Sequence, residues 1–161
     1  MKFIRVLKSS LPNENSLGEP ISNDPQVLQN FWNWFNGSKV VDKQNRPLVV
    51  YHGATKKFDI FQKGKFPNLL KMGEGIYFTD NINMSKGYGD KIMHVYLYIK
   101  NPLILESPFS PRPKDMSKYD GIIAGEPGNM EYVVFDSNQI KSTTNNSIYN
   151  KEDNSIYGGL K

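Results

Sequence analysis

The sequence predicts an α+β domain built mainly on antiparallel sheet. Three observations carry this: one early segment has helical periodicity, five or six short apolar runs read as strands, and the two kinds do not alternate as βαβ units would. A chain of 161 residues is the length of one ordinary domain and can bury a substantial core. Rossmann and P-loop folds are excluded, because no glycine fingerprint follows a strand and opens a helix.

Residues 1–24 read as an arm, since positions 9–25 are rich in Ser, Asn, Pro and Gly and poor in large apolar groups. The signals change at Asp24-Pro25, an N-cap residue followed by proline at the first helical position. Val27, Leu28, Phe31, Trp32, Trp34 and Phe35 then fit one broad helical face ending at Gly37, an aromatic stripe that reads as core packing. Pro47 to Tyr51 is a short apolar run rich in β-branched residues that stops at His52-Gly53. Gly73-Glu74-Gly75 precedes a second strand, Ile76 to Thr79, after which Asp80 is expected to cap a short helix through Asn83 to Tyr88.

The clearest strand is Ile92 to Ile99, with Met93, Val95, Leu97 and Ile99 on one face and His94, Tyr96 and Tyr98 on the other. Asn101-Pro102 breaks it, Leu103 to Leu105 resumes pairing, and Ser107 to Lys118, with three prolines, reads as loop. Gly121 to Ala124 and Glu131 to Phe135 are two more strands joined by a Gly/Pro turn. From residue 143 to 161 the composition is polar and reads as a tail, although its Ile-Tyr pairs can dock onto the domain. The domain proper is therefore expected over residues 25–142.

Composition removes several chemistries. With no cysteine, a disulfide framework, a thiolate zinc site and a thiol nucleophile are all ruled out. His52 and His94 are the only histidines, so no metal is expected. Arg5 and Lys8 interrupt the apolar residues of the first segment, and no secretion signal or membrane span is read, which makes a cytoplasmic protein without a membrane partner the expectation. The net charge of +4 is dispersed among acidic residues and does not by itself argue for nucleic acid.

Three strand-borne features remain. Tyr51-His52-Gly53 sets an imidazole at the end of an apolar strand, beside a glycine that lets a ligand approach the backbone. Tyr77 on a strand and Tyr88 in the segment after it, with Ser85 between them in sequence, offer two flat faces to a ring. Glu131 leads the last strand and would hold a carboxylate at the mouth of the sheet. Taken singly, each has a plainer reading as a structural histidine, core tyrosines or a solvated glutamate.

Taken together, His52-Gly53, Gly75-Ile76-Tyr77-Phe78, Ser85, Tyr88 and Glu131-Tyr132-Val133-Val134-Phe135-Asp136 resemble the His-Tyr-Glu motif of ADP-ribosyltransferases of the diphtheria-toxin and poly(ADP-ribose) polymerase type. Over roughly residues 27–142 the chain is most similar to the small ADP-ribosyltransferase domains in polyvalent proteins of phages and mobile elements. The resemblance implies a split barrel of two small antiparallel sheets with NAD, the co-substrate, across the cleft between them. It also implies a glycosyltransferase reaction in which ADP-ribose passes singly to a macromolecular acceptor, protein or nucleic acid, as in toxin-like effectors. By the same resemblance Glu131 stabilises the oxocarbenium-like sugar, Tyr77 and Tyr88 sandwich nicotinamide, Gly53 and Ser85 bind its carboxamide, and His52 bonds the adenosine ribose. His52, Tyr77 and Glu131 form the implied catalytic set.

Two departures carry consequences. Ala54 stands where the polymerases commonly have serine, which removes a hydroxyl contact that Thr55 is the candidate to replace. Asn129 stands where arginine-modifying members have an acidic residue two positions before the glutamate, which argues against arginine as acceptor. An RNA 2′-phosphotransferase would need arginines around its phosphate, and Arg5, Arg46 and Arg112 all lie outside the core motifs. A non-catalytic NAD-binding module on the same fold is the remaining alternative.

Overall fold

The computed structural model describes residues 11–61, 74–144, 149, 153 and 155–157. Residues 1–10 of the expected arm, Gly73, and Ile148 of the expected tail lie outside these. Helix α1 (Pro25–Phe35) starts where the sequence signals place it: the Asp24 carboxylate accepts from the backbone N–H groups of Gln26 and Val27, and proline fills the first turn. Among the described residues seven strands follow, β1 (Val50–Ala54), β2 (Ile76–Thr79), β3 (Lys91–Leu97), β4 (Pro102–Leu105), β5 (Gly121–Glu126), β6 (Asn129–Val134) and β7 (Ile140–Ser142). A four-residue helix α2 (Ile82–Ser85) and a 3₁₀ turn, Lys86–Tyr88, link β2 to β3. Asn81, rather than Asp80, caps α2 by accepting from the Asn83 N–H.

The α+β class holds, but the two small sheets are one. Strand order is β4-β5-β6-β2-β1-β3-β7, and the sheet is mixed because β4 and β5 run parallel. Residues 106–120 must therefore cross back along the sheet rather than turn as a hairpin. What merges the halves is a single register pair between β1 and β2, Tyr51↔Thr79. By contrast β1 is in register with β3 over five pairs and β2 with β6 over four. The sheet thus has a seam between β1 and β2.

Each face of the sheet is covered differently. One carries Val50, Ile76, Phe78, Met93, Val95, Leu97, Tyr132 and Val134 in a continuous apolar layer with Phe61, Ile140 and Ile156. On the other, Phe31, Trp34 and Phe35 of α1 cover Val49, Tyr51 and Tyr96, whereas Ile122, Ala124 and Val133 form a separate patch with Tyr77, Leu103 and Met116. The aromatic stripe of α1 is core, as its periodicity predicts.

The flanking segments are bound more firmly than an arm and a tail. Asn15, 2% exposed, donates from Nδ2 to the Tyr96 hydroxyl at 3.0 Å and accepts on Oδ1 from the N–H groups of Leu17 and Glu19. Tyr149 is buried among the aromatic rings of α1, and Ile156 lies in the central apolar layer. The Ser142 N–H donates to the Ile156 carbonyl, Ile156 N–H to the Asp59 carbonyl, and Lys141 Nζ to the carbonyls of Ser155 and Asp153.

Candidate active site

Register pairs in an antiparallel ladder put their side chains on a common face. Thr79 pairs with Glu131 and Tyr77 with Val133, while Ala124 pairs with Glu131 from the other side. Tyr77 and Glu131 are therefore diagonal neighbours on one face of adjacent strands, with Tyr51 across the seam from Thr79. Oε2 of Glu131 is buried and has no hydrogen-bond partner among the described residues. Thr79, its cross-strand neighbour, gives it none, because that hydroxyl accepts from the Asn81 N–H at 3.0 Å and faces Met84 Sδ at 3.9 Å. Burial, which penalises the charged form, raises the Glu131 pKa above the ordinary carboxylate value.

His52 sits on the opposite face. Its ring packs against Phe61 and Phe78, with centroids 4.9 and 5.3 Å away, while Nδ1 lies 2.8 Å from the carbonyl oxygen of Tyr77. A carbonyl only accepts, so Nδ1 carries the proton and Nε2 is the acceptor of a neutral ring. Desolvation holds the pKa below the ordinary histidine value, opposed by the bond to Tyr77. The structure ties His52 to the backbone of Tyr77 but does not place its imidazole on the face that bears Tyr77 and Glu131.

Gly53 is occupied differently from the expectation of open backbone. A Cβ there would stand 1.8 Å from the Ser85 carbonyl oxygen and 3.5 Å from Tyr88 Cβ, so the glycine is what lets α2 and its 3₁₀ turn lie against β1. This contact brings Ser85 and Tyr88 to the seam. Ser85 is buried and its hydroxyl donates to the Ile82 carbonyl at 2.6 Å, which leaves its lone pairs able to accept. Tyr88 is 49% exposed. Thr55 is exposed just beyond the end of β1.

Residues 42–116 match the family model described as ADP-ribosyltransferase in polyvalent proteins. Over that stretch, just under half of the chain, the sequence is similar to ADP-ribosyltransferase domains of the polyvalent-protein type. No curated protein matches it. The match covers His52, Gly53, Thr55, Tyr77, Ser85 and Tyr88 and ends before Glu131, which the β2–β6 ladder delivers to the same place. ADP-ribosyltransferases of this family use NAD as co-substrate. Among the described residues of the domain no cluster of His, Asp and Glu could hold a metal ion, and no helix is long and apolar enough to cross a membrane.

Arg112, Asp80 and Asn81 make contacts at the site that the sequence reading did not give them. Arg112, in the loop between β4 and β5, donates from Nη2 to the Tyr77 hydroxyl at 2.7 Å and from Nη1 to the Glu74 carbonyl at 3.0 Å. The available signal was its place between Pro111 and Pro113, which restrict the backbone on both sides. Asp80 accepts from the N–H groups of Gly128 and Met130 at 2.8 and 2.9 Å, and Asn81 Nδ2 donates to the Gly128 carbonyl and to Asn129 Oδ1. The end of β2 thereby grips the β5–β6 turn immediately ahead of Glu131.

Proposed function

We propose that this domain is a NAD-dependent mono-ADP-ribosyltransferase that breaks the bond between nicotinamide and its ribose and transfers ADP-ribose to a protein or nucleic-acid acceptor. The observation that carries the reading is the buried, unpartnered Oε2 of Glu131 on the face it shares with Tyr77. A hydroxyl of the nicotinamide ribose supplies the missing donor. The carboxylate then stands beside the sugar as positive charge develops on it, stabilisation that is strongest in a sheltered site. The bonding electron pair leaves with the nicotinamide nitrogen, which ends neutral. The acceptor's nucleophilic atom bonds to the anomeric carbon and its proton passes to solvent.

In this reading Tyr77 and Tyr88 face the nicotinamide ring, while the Gly53 backbone and the Ser85 hydroxyl meet the carboxamide. Thr55 meets the adenosine side of the ligand across the seam, and His52, on the opposite face, holds the Tyr77 backbone from behind. Asn129, held by Asn81, supports an acceptor other than arginine, because no second acidic group stands beside Glu131 on β6. The test is nicotinamide release from NAD by the purified chain, followed by labelled NAD in lysate with separate protease and nuclease digestion of the product. Stabilisation by NAD without any nicotinamide release would make the domain a binding module. Label confined to small molecules would overturn the macromolecular acceptor.

A further inference from the structure

Arg112, from the loop between β4 and β5, and Glu131, from the adjacent strand β6, act on the same side chain, Tyr77. The guanidinium is bonded to the phenol oxygen of Tyr77, and Glu131 is the diagonal neighbour of Tyr77 on the sheet. Both charges are felt by the phenol, Arg112 favouring its ionisation and Glu131 opposing it, although burial dominates both. The guanidinium is held in place rather than swung freely, because its second bond goes to the Glu74 carbonyl at the start of β2 and its backbone is fenced by Pro111 and Pro113. An ordered arginine with two anchors is a fixed source of positive potential.

We propose that Arg112 is a positioning residue that fixes the Tyr77 ring and sets a positive charge at its phenol end, so that Arg112 and Glu131 bracket the ring with opposite charges. The proposal rests on the transferase reading above. Bound NAD carries its positive charge on the pyridinium ring, and breaking the glycosidic bond moves that charge to the ribose while nicotinamide leaves neutral. A ring lying on Tyr77 has Arg112 behind it and Glu131 ahead. Charge migration therefore runs away from the cation and towards the anion, and the field favours the transition state over the ground state.

Steady-state nicotinamide release by the full chain, with NAD varied, separates this role from a merely structural one. Arg112→Gln should lower kcat about 10-fold with little change in KM, since the lost interaction is one that strengthens as charge moves. Arg112→Lys keeps the charge and should recover most of that loss. Tyr77→Phe removes the tether, and in that background Arg112→Gln should cost no more than about 3-fold, because anchored residues acting as a unit are non-additive. An unchanged kcat in Arg112→Gln, a Lys variant as slow as the Gln variant, or full additivity with Tyr77→Phe would each overturn the proposal. No release by the wild-type chain would sink the transferase reading and this proposal together, whereas release by wild type with an indifferent Arg112 sinks this proposal alone.

Discussion

Nδ1 of His52 lies 2.8 Å from the Tyr77 carbonyl oxygen, so a side chain of β1 bonds the backbone of β2 just where the register between those strands has parted. Burial among the surrounding phenylalanines keeps the ring neutral, with a pKa below the usual histidine value, and outweighs the opposing pull of that bond. Below about pH 6.5 the unfolded chain takes up the proton more readily than the folded one, so stability is retained above that pH and falls as pH drops towards the lowered folded value. Melting temperature should accordingly decline between roughly pH 7 and pH 5, and His52→Asn should flatten the slope. Measured in a Glu131→Gln background, where the opposing carboxylate is absent, an equally steep slope for His52→Asn would refute this.

Glu131→Gln should separate activity from stability. Nicotinamide release is expected to fall about 100-fold or more while NAD still binds. The fold should gain about 1 kcal/mol at neutral pH, because a half-buried carboxylate without a donor is costly to hold charged. The folded pKa is raised, so the folded state binds the extra proton in the window above about pH 4.5; the wild type therefore loses stability as pH rises through it, and the advantage of Gln should vanish in acid. A variant that is both active and unstabilised would contradict the placement of Glu131.

Asp80→Ala should act on Glu131 at a distance. It releases the N–H groups of Gly128 and Met130, at a cost of about 1–3 kcal/mol, and loosens the residue next to Glu131 in β6. The expected signature is a larger fall in kcat than rise in KM, partly restored by Asp80→Asn, whose side-chain oxygen still accepts. Equal loss in both variants, or a pure KM effect, would show that the grip on the turn does not position the carboxylate.

The sequence made the periodic elements legible and the contacts between them obscure. Asp24-Pro25 and the alternation from Met93 to Leu97 report local backbone geometry, and both appear as read. The strand positions of Tyr77 and Glu131 were legible because each lies in a short apolar strand, where pairing leaves few faces to choose from. Gly53 was read for a ligand, yet its space is filled by Ser85, a contact between segments more than thirty residues apart in sequence that no local pattern encodes. Arg112 sits in a loop without periodicity, and its meaning comes wholly from the phenol it meets. Residues 143–161 looked like a tail because their two Ile-Tyr pairs stand without periodicity in polar surroundings, although Tyr149 and Ile156 are fully enclosed.

Ile156→Ala should therefore destabilise the whole domain, by about 2–5 kcal/mol, since it empties a site in the central apolar layer. Removing residues from Thr143 onward should be worse, because it also strips the carbonyls that satisfy Lys141 Nζ, a fully buried ammonium whose pKa is lowered to about 8 by desolvation. Chemical denaturation of Ile156→Ala and solubility of the truncated chain test this. A soluble truncated protein with an unshifted midpoint would return the segment to the standing of a tail.

The lone pair of residues joining β1 to β2 makes the sheet resemble a book bound along its back. Val50, Phe78, Met93 and Tyr132 form the glued spine, common to both leaves, while on the other side Tyr77 and Glu131 line the pages. Small changes in the angle between the leaves stretch few ladder hydrogen bonds, because the ladder there is one rung long, and the apolar spine is indifferent to a modest rotation. The thickness of whatever is inserted can thus set the opening without any strand giving up its partners, and amides flanking Tyr51 and Thr79 are where deuterium should enter first in the empty protein and be shut out once the pages are filled.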